Sequence, residues 1–278
     1  MLSYQHGFHA GNFADLHKHL TLALLLESLN RKAKPWSYLE THSGRGRYDL
    51  GDAQAAKTGE YLHGIAKLWE MHADSALGRY LDLVRSLNVG TLETYPGSPL
   101  IAASMAREDD RLHLMELHPQ EHNELKRNFR GSPQVGVHRR DGYEGVLGLL
   151  PPQPNRGLIL VDPAYEVKTE YSAVARFLPK ALKLWGTASL AVWYPILLAG
   201  RHEAMIRGIF DQCPGVAILR SEMHVNTPQE RGMYGSGMLL INPPWQIDQQ
   251  LQALVPELLQ QLSAPSGKVE LSWLREPV

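Results

Sequence analysis

Apolar residues first recur at helical spacing near the amino terminus. Leu16, Leu20, Leu22, Leu25, Leu26 and Leu29 predict a helix over residues 15–34, with Asp15 as its N-cap. Pro35 ends it, and residues 36–40 read as a short strand that runs into His42-Ser43-Gly44-Arg45-Gly46-Arg47. From there to about Tyr95 the pattern is helical and surface-like, with no strand able to join a central sheet. Apolar strands at 112–117, 135–138, 157–161, 189–194, 216–219 and 238–241 then alternate with helical segments near 99–107, 119–129, 143–149, 171–185 and 200–212. Strands and helices alternating at this length build a parallel sheet with helices on both faces. A polar loop over 226–236 replaces the helix between the last two strands, so those two pair antiparallel. The expectation is an α/β fold with a seven-stranded, mostly parallel sheet carrying one reversed strand. It forms a single domain over 1–278, with an amino-terminal extension and helix over 1–35 and a helical insertion over 49–95.

Composition narrows the class. Hydrophobic residues make up 44% of the 278 positions, enough for a large core, and the net charge is −1. That balance excludes a chain coated in positive charge but allows local basic clusters such as Arg45/Arg47, Arg139-Arg140 or Arg31-Lys32 with Lys34. Cys213 stands alone, which rules out an internal disulfide framework and a Cys-rich zinc site. No apolar run approaches the ~18 residues of a membrane span, and the segment after Met1 lacks the features of a signal peptide. A cytoplasmic protein is expected.

In open α/β sheets ligands bind beyond the carboxyl ends of the strands, so the residues just past each strand carry the chemistry. After the first strand, Gly44 and Gly46 let backbone approach a ligand, although a plain tight turn reads equally well. The second strand ends in Met115-Glu116-Leu117. An acidic residue that holds ribose hydroxyls usually lies ~20 residues beyond the glycine loop. Glu116 lies about 50 residues further on than that, a surplus matching the helical stretch over 49–95. Asp141-Gly142 ends the third strand, where a carboxylate could accept from an adenine amino group and a glycine would let the ring lie close. Ser98, in Pro96-Gly97-Ser98-Pro99, reads as the N-cap of the next helix.

The fourth strand is followed by Asp162-Pro163-Ala164-Tyr165, which resembles the Asp-Pro-Pro-Tyr signature of amino-group methyltransferases acting on adenine. The chemistry explains these residue types. The adenine N6 lone pair is delocalised into the ring, and a carboxylate bonded to the amino group favours rehybridisation and can take the proton. The Pro163 carbonyl could hold the second N6 hydrogen, and the Tyr165 ring could stack on an extruded base, a contact worth ~1–3 kcal/mol. Asn242-Pro243-Pro244-Trp245 matches the same signature loosely, but it follows the seventh strand, away from the first, and reads as a strand-ending turn. His6, His9, His17 and His19 suggest a metal site, yet no carboxylate set remains to complete a hydrolytic one.

A longer pattern joins these pieces. Tyr4, the run Phe8–Asn12, Lys18-His19, Thr41-His42-Ser43-Gly44, Gly59-Glu60-Tyr61, the Tyr95–Pro99 stretch, Glu116-Leu117-His118-Pro119, Asp141-Gly142, Asp162–Glu166 and Gly237–Trp245 occur in order across the chain. Together they resemble the bacterial 23S rRNA (adenine-N6)-methyltransferase family typified by RlmJ. The resemblance implies a Rossmann-like class I methyltransferase using S-adenosylmethionine and no metal, with 23S rRNA as partner and a monomer as the working form. It further implies that Lys18, His19, His42, Ser98, Glu116, Asp141 and Gly142 line the cofactor site. Asp162 would be the proton acceptor, with Pro163 and Tyr165 beside it, and Tyr4 would contact the substrate adenosine. Ala164 departs from the signature's second proline but keeps the carboxylate and the aromatic ring. The alternatives are a DNA adenine-N6 methyltransferase of the same mechanism, a catalytically silenced RNA-binding factor, and a metal-dependent hydrolase using the amino-terminal histidines.

Overall fold

The computed structural model describes residues 5–228, 232–264 and 266–277. The chain opens with α1 (Phe13–Asn30), β1 (Ser37–Glu40) and β2 (Arg47–Asp49). Three helices follow, α2 (Ala53–Thr58), α3 (Ile65–Leu68) and α4 (Ala76–Ser86), and then β3 (Thr94–Pro96) and α5 (Ser98–Met105). The middle alternates strictly through β4 (Arg111–Met115), α6 (Pro119–Asn128), β5 (Val135–His138), α7 (Gly142–Leu147), β6 (Gly157–Val161) and α8 (Glu170–Leu184). The last third holds β7 (Ser189–Ile196), α9 (Arg201–Gln212), β8 (Ile218–His224), β9 (Gly235–Ile241), α10 (Ile247–Gln261) and β10 (Lys268–Arg275).

The main sheet runs β10-β8-β9-β7-β6-β1-β4-β5. β7, β6, β1, β4 and β5 are mutually parallel, whereas β9 runs antiparallel to both β7 and β8. β10 adds an eighth strand, antiparallel to β8. Two strands are therefore reversed where one was expected. The expected seven omitted β10, whose side chains are half-buried on both faces and show no clean alternation. β2 and β3 form a separate two-stranded ribbon. β1 lies between β6 and β4, so strand order reverses there and a crevice opens beyond the carboxyl ends of β1, β4 and β6.

Two cores flank the sheet. One gathers α1, α4, α5 and α10, and the other gathers α7, α8 and α9. α1 is buried at every position from Ala14 to Leu26, because the sheet lies on one side and other helices on the rest. Its real N-cap is Asn12, whose side chain accepts from the amides of Ala14 and Asp15 at 2.9 Å. The helix ends at Asn30, four residues short of the expected end. Asp15, expected as the cap, lies inside the first turn and is free for other work. Among the described residues no helix is long and apolar enough to cross a membrane.

Candidate active site

A cavity of about 820 Å³ opens at the carboxyl edge of β1, β4 and β6, within the range of small-molecule and cofactor sites. Its lining includes Lys18, His19, His42, Ser98, Glu116, Asp141, Gly142, Asp162, Pro163 and Tyr165, the full predicted set apart from Tyr4, which lies outside the described residues. These side chains come from α1, four strand ends and one helix start. Only the folded sheet brings them together.

Asp162 follows β6 directly. Its Oδ2 accepts a 2.6 Å bond from Nζ of Lys18, and the same ammonium lies 3.0 Å from Oδ1 of Asp15. Burial alone would push the Lys18 ammonium down, but Asp15 and Asp162 outweigh it and hold it above the ordinary lysine value. Asp15 also accepts from the Gly11 amide at 2.9 Å and lies 2.8 Å from His6 Nε2. Burial opposes its charge, yet His6, Lys18 and His19 keep its carboxyl well below the usual range. Asp15 is thus the anchor that sets Lys18 on Asp162. Lys18 Nζ also stands 5.7 Å from the centre of the Trp193 ring.

Tyr165 adopts the left-handed backbone region at φ 54°, which is uncommon for a bulky residue and costs about 1–3 kcal/mol. Its hydroxyl donates to the Trp193 carbonyl at 2.8 Å, and its ring packs 4.6 Å from Tyr171 and 5.9 Å from Trp193 between centres. These contacts hold the strained turn and aim the tetrad into the cavity. Asn242, the competing tetrad, sits at the other end of the sheet. Its amide donates to Ala217 just before β8, and its carbonyl accepts from Ser189 at the start of β7. Because β9 runs backwards, a loop following it falls on the edge away from the cavity.

The remaining predicted residues divide. Glu116 accepts from the Gly44 amide at 2.8 Å and from the His118 amide at 2.7 Å, and burial raises its carboxyl above the usual range. Asp141 caps α7 through Oδ1, which accepts from the amides of Tyr143 and Glu144 at 3.0 Å. Gly142 has a stricter reason to be glycine than ring access, since a Cβ there would lie 1.9 Å from the Thr41 carbonyl oxygen. Ser98 is not the cap. It is the first residue of α5, Gly97 holds the cap position, and the Ser98 hydroxyl donates to Glu40. His42 bonds Thr41 Oγ1 at 2.8 Å, and burial lowers it to about 4. His19 bonds the Tyr95 hydroxyl at 2.9 Å and is lowered by burial to about 3. Both are neutral imidazoles at neutral pH.

The amino-terminal histidines form no metal-type cluster among the described residues, although His6 and His19 both face Asp15, at 2.8 and 3.9 Å. His6 pairs with Asp15, His9 with Glu60, His17 with Ser221 and Ser236, and His19 with Tyr95. Glu60 also accepts from Asn12 at 2.8 Å, tying the segment before α1 to the short turn after α2.

A family model described as "Ribosomal RNA large subunit methyltransferase D, RlmJ" matches residues 33–275. The chain belongs to the RlmJ family. It is 43% identical over 279 residues to "Ribosomal RNA large subunit methyltransferase J" of Escherichia coli K12, covering 99% of each chain. A protein of that same name from Haemophilus influenzae is 42% identical over 280 residues, again covering 99% of each. Among solved structures, a Legionella pneumophila protein is 37% identical with a TM-score of 0.88, over 95% of this chain and 98% of that one. RlmJ-family membership thus extends over nearly the whole chain, cavity included.

Within this RlmJ-family site the structure adds residues that sequence reasoning passed over. Asp15 looked like a cap. Trp193 lay unremarked in a strand although its ring and carbonyl brace Lys18 and Tyr165. Glu40 ends β1 fully buried, and burial raises it to about 8. A charged residue closing a buried strand that leads into a glycine turn was the available signal for Glu40.

Proposed function

We propose that this protein transfers a methyl group from S-adenosylmethionine to the N6 of an adenine in 23S rRNA, acting as a cytoplasmic monomer. The observation that carries the reading is the Asp162 tetrad at the carboxyl edge of β6, its carboxylate fixed by Lys18 at 2.6 Å inside the cavity. Membership of the RlmJ family and the rRNA methyltransferase names of the relatives support the substrate class. Residues 49–95 would serve as an insertion subdomain, and their α4 packs against α1 and α10.

The residues present fit the cofactor. Gly44, at φ 58°, brings backbone to the cavity wall after β1, where a Cβ would lie 2.3 Å from the Tyr48 hydroxyl, whereas Gly46, at φ 75°, packs against Leu125 and Phe129 of the core. Glu116 keeps lone pairs for ribose hydroxyls beyond the two it gives to amides, and Asp141 keeps Oδ2 for an adenine amino group. When bound, S-adenosylmethionine supplies a methyl group already activated on a sulfonium. The protein's own task is then positional. Asp162 accepts a hydrogen bond from the target amino group, the Pro163 carbonyl holds its second hydrogen, and Tyr165 supports the base. Lys18 keeps Asp162 in one orientation, which counts because alignment supplies most of the acceleration.

The test incubates the protein with labelled S-adenosylmethionine and either unmodified 23S rRNA or duplex DNA, followed by digestion to nucleosides. Label in N6-methyladenosine from the RNA alone supports the proposal. Label from the DNA alone moves the enzyme to DNA, and cofactor binding without transfer points to a silenced factor.

A further inference from the structure

Beyond β7 on the same sheet, a second group of ionisable side chains lies between α9 and β8. Tyr194 on β7, Gly237 on β9 and Glu222 on β8 face one another across three strands. A Cβ at Gly237 would lie 2.1 Å from the Tyr194 ring, so only glycine lets that ring lie across β9. The tyrosine hydroxyl therefore reaches Glu222 and donates to Oε1 at 2.8 Å. His202, the second residue of α9, stacks on the other side of Tyr194 with ring centres 5.3 Å apart and planes 11° apart.

Among the described residues, His202, Glu203 and Glu222 are the one group of three or more potential metal ligands that converge, each offering an atom within 4.8 Å of the others. The His202 side chain is 7% exposed and its Nδ1 is buried without a hydrogen-bond partner. Its Nε2 lies 3.5 Å from Glu203 Oε1 and 4.0 Å from Glu222 Oε1. These gaps are too long for good hydrogen bonds. They are close to the ligand–ligand edge of a tetrahedral site, about 3.4 Å for metal–ligand bonds of ~2.1 Å.

We propose that His202, Glu203 and Glu222 bind one divalent transition-metal ion of the zinc type. One imidazole and two carboxylates suit zinc, cobalt or manganese better than magnesium, which prefers oxygen and its own waters. Tyr194 stacks on His202 and its hydroxyl bond fixes Glu222, so the outer-shell support falls on the carboxylate ligand. Arg220 stands 3.4 Å from Glu203 Oε1. Glu203 is half-exposed and able to swing, so an ion would take it from Arg220 while His202 and Glu222 stay fixed. The ion would clamp the start of α9 to β8, near the end of that strand. It takes no part in methyl transfer.

Chelator-treated full-length protein is titrated with Zn2+, and with Co2+ as a visible-absorption probe, beside His202→Phe and Glu203→Gln. Phenylalanine keeps the stack on Tyr194, and Glu203 is exposed enough that its substitution leaves the fold intact. The expected result is one saturable equivalent with tetrahedral-type Co2+ absorption, weakened at least 10- to 100-fold in each variant, the loss that even an outer-shell partner causes. Should His202→Phe fail to fold by circular dichroism, Glu203→Gln alone decides. No saturable equivalent overturns the proposal, and so does an affinity unchanged by Glu203→Gln, because the ion would then sit on other histidines.

Discussion

Replacing Lys18 with methionine removes the cation that lies between two carboxylates while keeping most of the side-chain volume. The Lys18 side chain is 5% exposed, and its ammonium stands 2.6 Å from Asp162 and 3.0 Å from Asp15. Breaking a buried pair leaves an uncompensated charge and costs about 3–5 kcal/mol. Asp15 keeps the Gly11 amide and His6, so the lower end applies, about 3 kcal/mol. For a domain of this size that lowers Tm by roughly 10 °C, leaving the variant folded at assay temperature. Asp162 loses its fixed orientation at the same time, so kcat should fall about 100- to 1000-fold with the KM for S-adenosylmethionine little changed. The folded ammonium titrates above its unfolded value of ~10.4, so its contribution is fully present below that pH and lost only as pH rises through the higher folded value. The effect is therefore flat across pH 6–9. Single-turnover rates at saturating cofactor and RNA, taken well below the variant's Tm, are the assay. A Lys18→Met rate within threefold of wild type would refute the reasoning.

Three further outcomes follow from the same coordinates. His17, His19 and His42 are lowered by burial to about 4, 3 and 4, so between roughly pH 4.5 and 6 the unfolded chain binds up to three more protons there than the folded one. Stability should fall steeply with acid below pH 6.5, by up to about 4 kcal/mol per pH unit, partly offset by Glu40, whose raised carboxyl acts in the opposite sense between about pH 4.5 and 8. Urea midpoints that stay level from pH 7 to 5 would contradict this. Gly142→Ala drives a methyl into the Thr41 carbonyl and should cost more than about 2 kcal/mol, read as a lowered urea midpoint. Asn242→Ala should leave kcat within twofold, since that loop lies on the sheet edge away from the cavity, and a 100-fold loss would reverse the assignment of the two tetrads.

The parts of the fold legible in the sequence were those whose signal is local. β6 is buried at all five positions and reads Gly-Leu-Ile-Leu-Val, a run that declares a central parallel strand without any knowledge of its neighbours. The residues after β4, β5 and β6 were legible for a related reason, because topology sends every parallel strand end to one edge. β10 was hidden by its edge position, where half-buried side chains blur the period. Asp15 was misread because a buried charge inside a helix makes sense only with Lys18 held against Asp162, and Asp162 lies 144 residues beyond that lysine. Ser98 was misread for the same cause, since its partner Glu40 is 58 residues away. Local rules assign a serine before a helix to the cap, and only the packed site shows a competing acceptor.

The most direct test of the central claim compares wild type with Asp162→Asn on unmodified 23S rRNA, counting N6-methyladenosine by mass spectrometry after complete digestion. Asparagine keeps the shape and cannot take a proton. The account predicts close to one modified adenine per wild-type-treated rRNA and at least a 100-fold slower yield with the variant, at equal S-adenosylmethionine affinity. Equal yields from the two proteins, or methyl groups found on another base or ring position, would contradict it.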